Sequence, residues 1–120
     1  MDAQANGVEF FVHHEDVRRA GPSPLAPRQL SPEHEDLLWR RAVGMGRLAF
    51  RKLEVGVVLE RTDIGVGQDG REARLSPGDH TVTVRGRPAE LVLYAFGRDR
   101  AVVTLIGEPE AVTHLPHSQA

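Results

Sequence analysis

The chain has 120 residues, of which 40% are hydrophobic and 27% charged, and its net charge is −2. That length fits one domain or a piece of a larger protein, and the charge gives no electrostatic case for nucleic acid or an anionic membrane as partner. Cysteine is absent, which excludes disulfides, thiolate catalysis and Cys-ligated zinc.

No apolar run approaches membrane-spanning length. The first residues, MDAQANGVEF, lack the basic region and apolar core of a signal peptide, so a cytoplasmic protein is expected.

The first element is a helix over about residues 6–20. Asn6 caps it, Glu9 stands three residues on as the reciprocal partner, and Gly21-Pro22 stops it. At roughly 100° per residue, Glu9, His13 and Asp16 fall within about 60° of one another. Phe10 and Val17 flank them on one side, Val8 and Val12 on the other. His14, Glu15, Arg18 and Arg19, with Phe11 among them, form the opposite and solvated face. Polar groups set in an apolar stripe need partners, because unpaired burial costs roughly 1–3 kcal/mol each. A divalent cation satisfies a carboxylate and an imidazole together; hydrogen bonds to a neighbouring helix do so too. Spacing alone leaves both open.

Residues 21–31 are a proline-rich linker. Ser31-Pro32 then starts a second helix, with Glu33, Glu35 and Asp36 in its first turn. Leu38, Ala42, Met45 and Ala49 repeat at helical spacing, widened by Trp39, Val43 and Phe50. Gly44 and Gly46 weaken this helix and suggest close approach by another element.

Val55–Thr62 reads as a strand, and Asp69-Gly70 and Pro77-Gly78 are turn signals, so residues 64–76 form a hairpin return. "GVGQDG" at 65–70 has glycine spacing reminiscent of a phosphate loop but lacks the Lys-Ser/Thr ending, and is read as a turn. The alternating HTVTVR of 80–85 is a strand. Pro88 opens a short helix that Gly97 ends, and its Leu91, Val92, Leu93, Tyr94 and Phe96 are read as core. Residues 101–106 form another strand and Pro109 opens a last helix to about Leu115. The tail 116–120 is expected to fray. The fold class is therefore α+β: one bundle-type helix at 1–20, then a small domain at 32–115 with a helix, an antiparallel-rich sheet and two short helices.

In order along the chain, "VEFFVHHEDVRRA", the proline-rich linker, "LWRRA", "VGVVLER", "GRPAELVLYAFGR" and "VTLIGEPEAV" resemble the C-terminal part of the mycothiol-dependent maleylpyruvate isomerase-like proteins. More narrowly, they resemble an uncharacterised metal-binding subgroup related to the DinB-like four-helix proteins. The resemblance spans about residues 6–115. It implies a divalent metal, zinc above all, held in a helical bundle by a histidine of an early helix and by a glutamate and a histidine four apart on the last helix. Glu9 and His13 match that last pair, and Asp16 matches a polar position one turn further on. A sterol-carrier-like domain follows, matched by residues 32–115.

The early bundle helices and their histidine have no counterpart here, so the chain is expected to be a shortened family member with an incomplete metal site. His14, His34, His80, His114 and His117 match no ligand position. The parent would be a mycothiol-dependent isomerase or transferase, with mycothiol as co-substrate, and this chain alone inactive. Expected partners are a second copy or a bundle fragment, with no nucleic acid and no membrane. A second reading, from a different class, is a non-enzymatic binding or accessory module whose sterol-carrier-like domain takes an apolar ligand or a protein partner.

Overall fold

The computed structural model describes residues 11–18, 20, 30–98 and 100–116. Residues 11–18 are helical and are called α1. The order is then α2 (Pro32–Ala49), β1 (Gly56–Arg61), β2 (Glu72–Ser76), β3 (Thr81–Gly86), α3 (Pro88–Ala95), β4 (Thr104–Ile106) and α4 (Pro109–Val112). The fold is α+β, and no helix among the described residues is long and apolar enough to cross a membrane.

The helix ends follow from local chemistry. Ser31 Oγ accepts from the His34 amide at 3.2 Å, Pro32 occupies the first helical turn where a missing N–H costs nothing, and Glu33 and Glu35 face the positive end of the helix dipole. Helix α3 stops at Gly97, whose φ of +83° puts it in the left-handed region. This lets the Arg98 amide reach back to the Leu93 carbonyl at 3.0 Å.

The strands lie in the order β2-β1-β3-β4. β1 pairs antiparallel with β2 and parallel with β3, and β3 pairs antiparallel with β4. The β1–β2 register slips between Val57 and Val58, where Val57 faces Ser76 and Val58 faces Arg74. This irregularity leaves Leu75 as an extra residue on β2, so that Leu75 and Ser76 are buried in succession. Leu75 meets α2 at Gly46, where a Cβ would lie 2.6 Å from Leu75 Cδ1. Ser76 Oγ donates to the Val55 carbonyl at 3.2 Å. The approach expected at the helix glycines is real at Gly46. Gly44 has open space around it.

Period-two alternation sends Val57, Leu59 and Arg61 of β1, with Val82 and Val84 of β3, to one side of the sheet. The core formed there includes Leu38 and Ala42 of α2 and Leu91, Val92, Leu93 and Tyr94 of α3. All eight residues of α3 are buried, so its apolar side chains fill the core. Each such Leu or Val contributes roughly 1.5–3 kcal/mol of burial. Phe11 and Val12 of α1 belong to the same cluster. The opposite sheet face is polar: Glu60 accepts from Arg85 Nε at 2.7 Å, its register partner on β3, and from Arg71 Nε at 3.0 Å.

The buried side of α1 differs from the sequence expectation. Phe11, Val12 and Glu15 are buried, whereas His13, His14 and Val17 are exposed, Val17 at 77%. The helix is thus turned so that Glu15, expected in solvent, is at 0% exposure. Adjacent phenylalanines at 10 and 11 give the sequence two apolar sides, and the docking partners choose between them. Phe11 meets the His34 ring edge-on, with centroids 6.0 Å apart and planes at 74°.

Candidate functional site

Two places concentrate polar chemistry. The first is α1. Glu9 lies outside the described residues, so its placement beside His13 is not described. His13 is exposed on the outward side of α1, the side shared with Val17 one turn on. Asp16 is turned to the domain instead: its two oxygens accept from Arg98 Nε at 2.9 and 3.2 Å. Arg98 is held in turn by donating from Nη1 to the Phe96 carbonyl at 2.8 Å. This pair ties α1 to the C-terminal end of α3. Glu15 accepts from Arg18 Nη1 through both oxygens, at 2.7 and 2.8 Å.

His13 therefore presents its imidazole outward, and Asp16 is engaged by a guanidinium. Among the described residues no three His, Cys, Asp or Glu side chains gather as a metal site. Of the other histidines, His14 and His114 are exposed, His34 packs on Phe11, and His80 lies 3.5 Å from Glu108 on the surface. His117 lies outside the described residues.

The second place was not apparent in the sequence. Strands β1 and β3 run parallel and end together, with Arg61 opposite Gly86. Just beyond them stand Asp63 and Arg87, and the N-terminal part of α2 brings Glu35 and Asp36 to the same end. Crevices outside the carboxyl ends of parallel strands are the usual place for ligands in open α/β sheets. Arg61 is 5% exposed, with its guanidinium 5.3 Å from the Trp39 ring centroid. Its Nε and Nη2 donate to the two oxygens of Asp63 at 2.8 Å each, and Nη2 also donates to Asp36 Oδ1 at 2.7 Å. These hydrogen bonds hold the Asp63 carboxyl below the usual carboxylate range and push the Arg61 guanidinium up.

Glu35 sits one residue before Asp36 on α2, turned about 100° from it. It is 2% exposed, and neither carboxylate oxygen has a hydrogen-bond partner. The nearest cation is Arg87, with Nε at 3.7 Å, too far for a hydrogen bond. Burial pushes its carboxyl upward, offset in part by Arg87. Glu90 on α3 is equally buried, but its Oε1 accepts from the Val102 amide at 2.9 Å.

Between α2 and the β1–β2 loop this cluster borders an open groove of about 520 Å³, lined by Asp36, Trp39, Arg61, Gln68 and Asp69 among others. The loop is the "GVGQDG" segment. It is a hairpin connection, closed by the Arg61 amide on the Arg71 carbonyl at 2.9 Å, with Gly70 at φ +83°. Gln68 folds back to accept from the Gly65 amide through its Oε1. The sequence signal for the cluster was the charged run Glu60-Arg61-Thr62-Asp63 closing a β-branched strand, which reads as an ordinary strand end until its parallel neighbour is known. Comparison with family models, with curated proteins and with solved structures finds no match to this chain.

Proposed function

We propose that the chain belongs to a divalent-metal-binding protein of the mycothiol-dependent isomerase and transferase type, in which Glu9 and, from α1, His13 supply two ligands. One observation supports this reading above the others. Helix α1 docks on the domain through Phe11, Val12, Glu15 and the Asp16–Arg98 pair, and this leaves the imidazole of His13 exposed on the outward side. A histidine so placed is available to a cation shared with another helical segment.

In this reading the metal is zinc, which takes imidazole and carboxylate ligands and lowers the pKa of a bound water or thiol. Two ligands are fewer than the three protein ligands of most catalytic zinc sites. The remainder come from a helical partner, either a bundle segment or a second copy of the chain, received on the side where Val17 is exposed. Asp16 is held by Arg98, which makes it a support for the helix's orientation and not a ligand. The proposed setting is the cytoplasm, in keeping with a chain free of cysteine.

Zinc calorimetry tests the assignment. The chain alone binds weakly, His13→Ala removes that binding, and His14→Ala leaves it nearly intact, because His14 is turned about 100° from His13. Equal losses in the two variants would refute the ligand pair.

A further inference from the structure

The groove beside Arg61 carries an inference independent of the metal. Arg61 is nearly buried, yet among the described residues its Nη1 amino group makes no hydrogen bond: all three bonds of the side chain leave from Nε and Nη2. Nη1 is not among the fully buried unpaired atoms, so it keeps contact with solvent, and Arg61 lines the groove. A guanidinium held rigidly by a bidentate carboxylate and stacked on an indole loses little freedom on accepting a ligand.

The charges around it decide the ligand class. Asp36 and Asp63 already neutralise Arg61, and Asp69 adds another negative charge at the rim. An anion therefore finds no net positive charge to enter. A simple cation meets the Arg61 guanidinium at the floor. A neutral group that accepts from Nη1 while donating to the neighbouring carboxylates satisfies every party. The side chain of Asp36 is 57% exposed and only its Oδ1 is engaged, so Oδ2 is open to a donor. A hydroxyl both accepts and donates, and adjacent hydroxyls reach Nη1 and the separate carboxylates together. The groove volume of about 520 Å³ lies in the range of small-molecule sites, roughly 300–1,000 Å³.

We infer that this groove is a binding site for a neutral polyhydroxyl ligand of the sugar or polyol class, with Arg61 Nη1 as donor and Asp36 and Asp69 as acceptors. The apolar edge of Trp39 and the side chain of Ile64 take the carbon side of the ring.

The test is a titration of the isotopically labelled chain with methyl α-glucopyranoside, followed by amide, indole and guanidinium NMR shifts. Spermine and inorganic phosphate are titrated separately. The glucoside is expected to move the Trp39 indole, Arg61 Nε and the Asp69 and Gly70 amides together, with a Kd on the order of millimolar. Asp36→Asn is expected to weaken the glucoside several-fold without admitting phosphate, since Asp63 still neutralises Arg61 and Asp69 keeps the rim negative. Asp69→Asn, at an exposed loop position, is expected to weaken the glucoside without admitting phosphate. No groove shifts with the glucoside, or tighter binding of spermine or phosphate by the unaltered chain, would overturn the assignment.

Discussion

Glu35 and Arg87 face each other across the junction of α2 and α3 at 3.7 Å, close enough for attraction and too far for a hydrogen bond. Both oxygens of a carboxylate that is 2% exposed are thereby left unpaired. Its pKa is raised above the usual 4.5, by burial first, so folding favours the protonated form more than the unfolded chain does. As pH rises past about 4.5, the unfolded chain gives up this proton while the folded chain retains it. The contribution of Glu35 to stability therefore falls across that window and stays low above the folded pKa. Glu35→Gln is expected to raise the unfolding midpoint at pH 7 relative to the parent, with the difference vanishing near pH 4. Denaturant melts at the two pH values check it. A variant less stable at pH 7 would show that the Arg87 attraction outweighs burial.

Asp63 acts in the opposite sense. Its carboxyl is held low by the Arg61 hydrogen bonds, so its contribution is full above the unfolded pKa of about 3.8 and is lost as pH falls through the lower folded value. Asp63→Asn is expected to lower stability at neutral pH and to flatten the acid limb of the stability curve below about pH 4. Melts of parent and variant from pH 2 to 7 separate this from a uniform loss.

The orientation of α1 can be read from two truncations. Phe11 is 5% exposed and Val17 is 77% exposed. Phe11→Ala is expected to cost roughly 3–5 kcal/mol, as for a buried aromatic, and Val17→Ala to stay within about 0.5 kcal/mol. A helix seated on its other face would reverse the order.

Two glycines two residues apart in α2 should behave differently on substitution by alanine. Gly44 has nothing within 4 Å of a would-be Cβ, so Gly44→Ala is expected to stabilise by roughly 0.5–1 kcal/mol through helix propensity. At Gly46 the same gain is opposed by Leu75, a buried side chain that must move. Gly46→Ala is expected to fall below the parent, and equal gains in both would show that Leu75 shifts freely.

Much of the fold was legible because its boundaries are encoded locally. Ser31-Pro32 starts α2, Pro88 and Gly97 bracket α3, and the alternation of 80–85 marks β3, each through chemistry within a few residues. The seating of α1 was not legible, because it depends on His34 and on Arg98, which is 82 residues from its partner Asp16. The Arg61 cluster was hidden for a related reason. It needs β1 and β3 to be parallel, and no local pattern distinguishes that from an antiparallel pair. The expected final strand at 101–106 shortened to Thr104–Ile106, since Ala101 and Val103 are spent on the core before ladder pairing begins.

The strand order places β2 and β4 at the margins of the sheet, and both are poor templates for another chain. β4 is three residues long, and β2 exposes Glu72 and Arg74 and is followed by Pro77, which has no N–H to offer. Edge-to-edge β-addition, the common route to amyloid-like aggregates, is thus blocked on both sides. The apolar side chains left to solvent among the described residues include Val17 on α1, at 77%, and Val66 in the β1–β2 loop, at 88%, so charge placed at these two positions is the direct route to suppressing self-association.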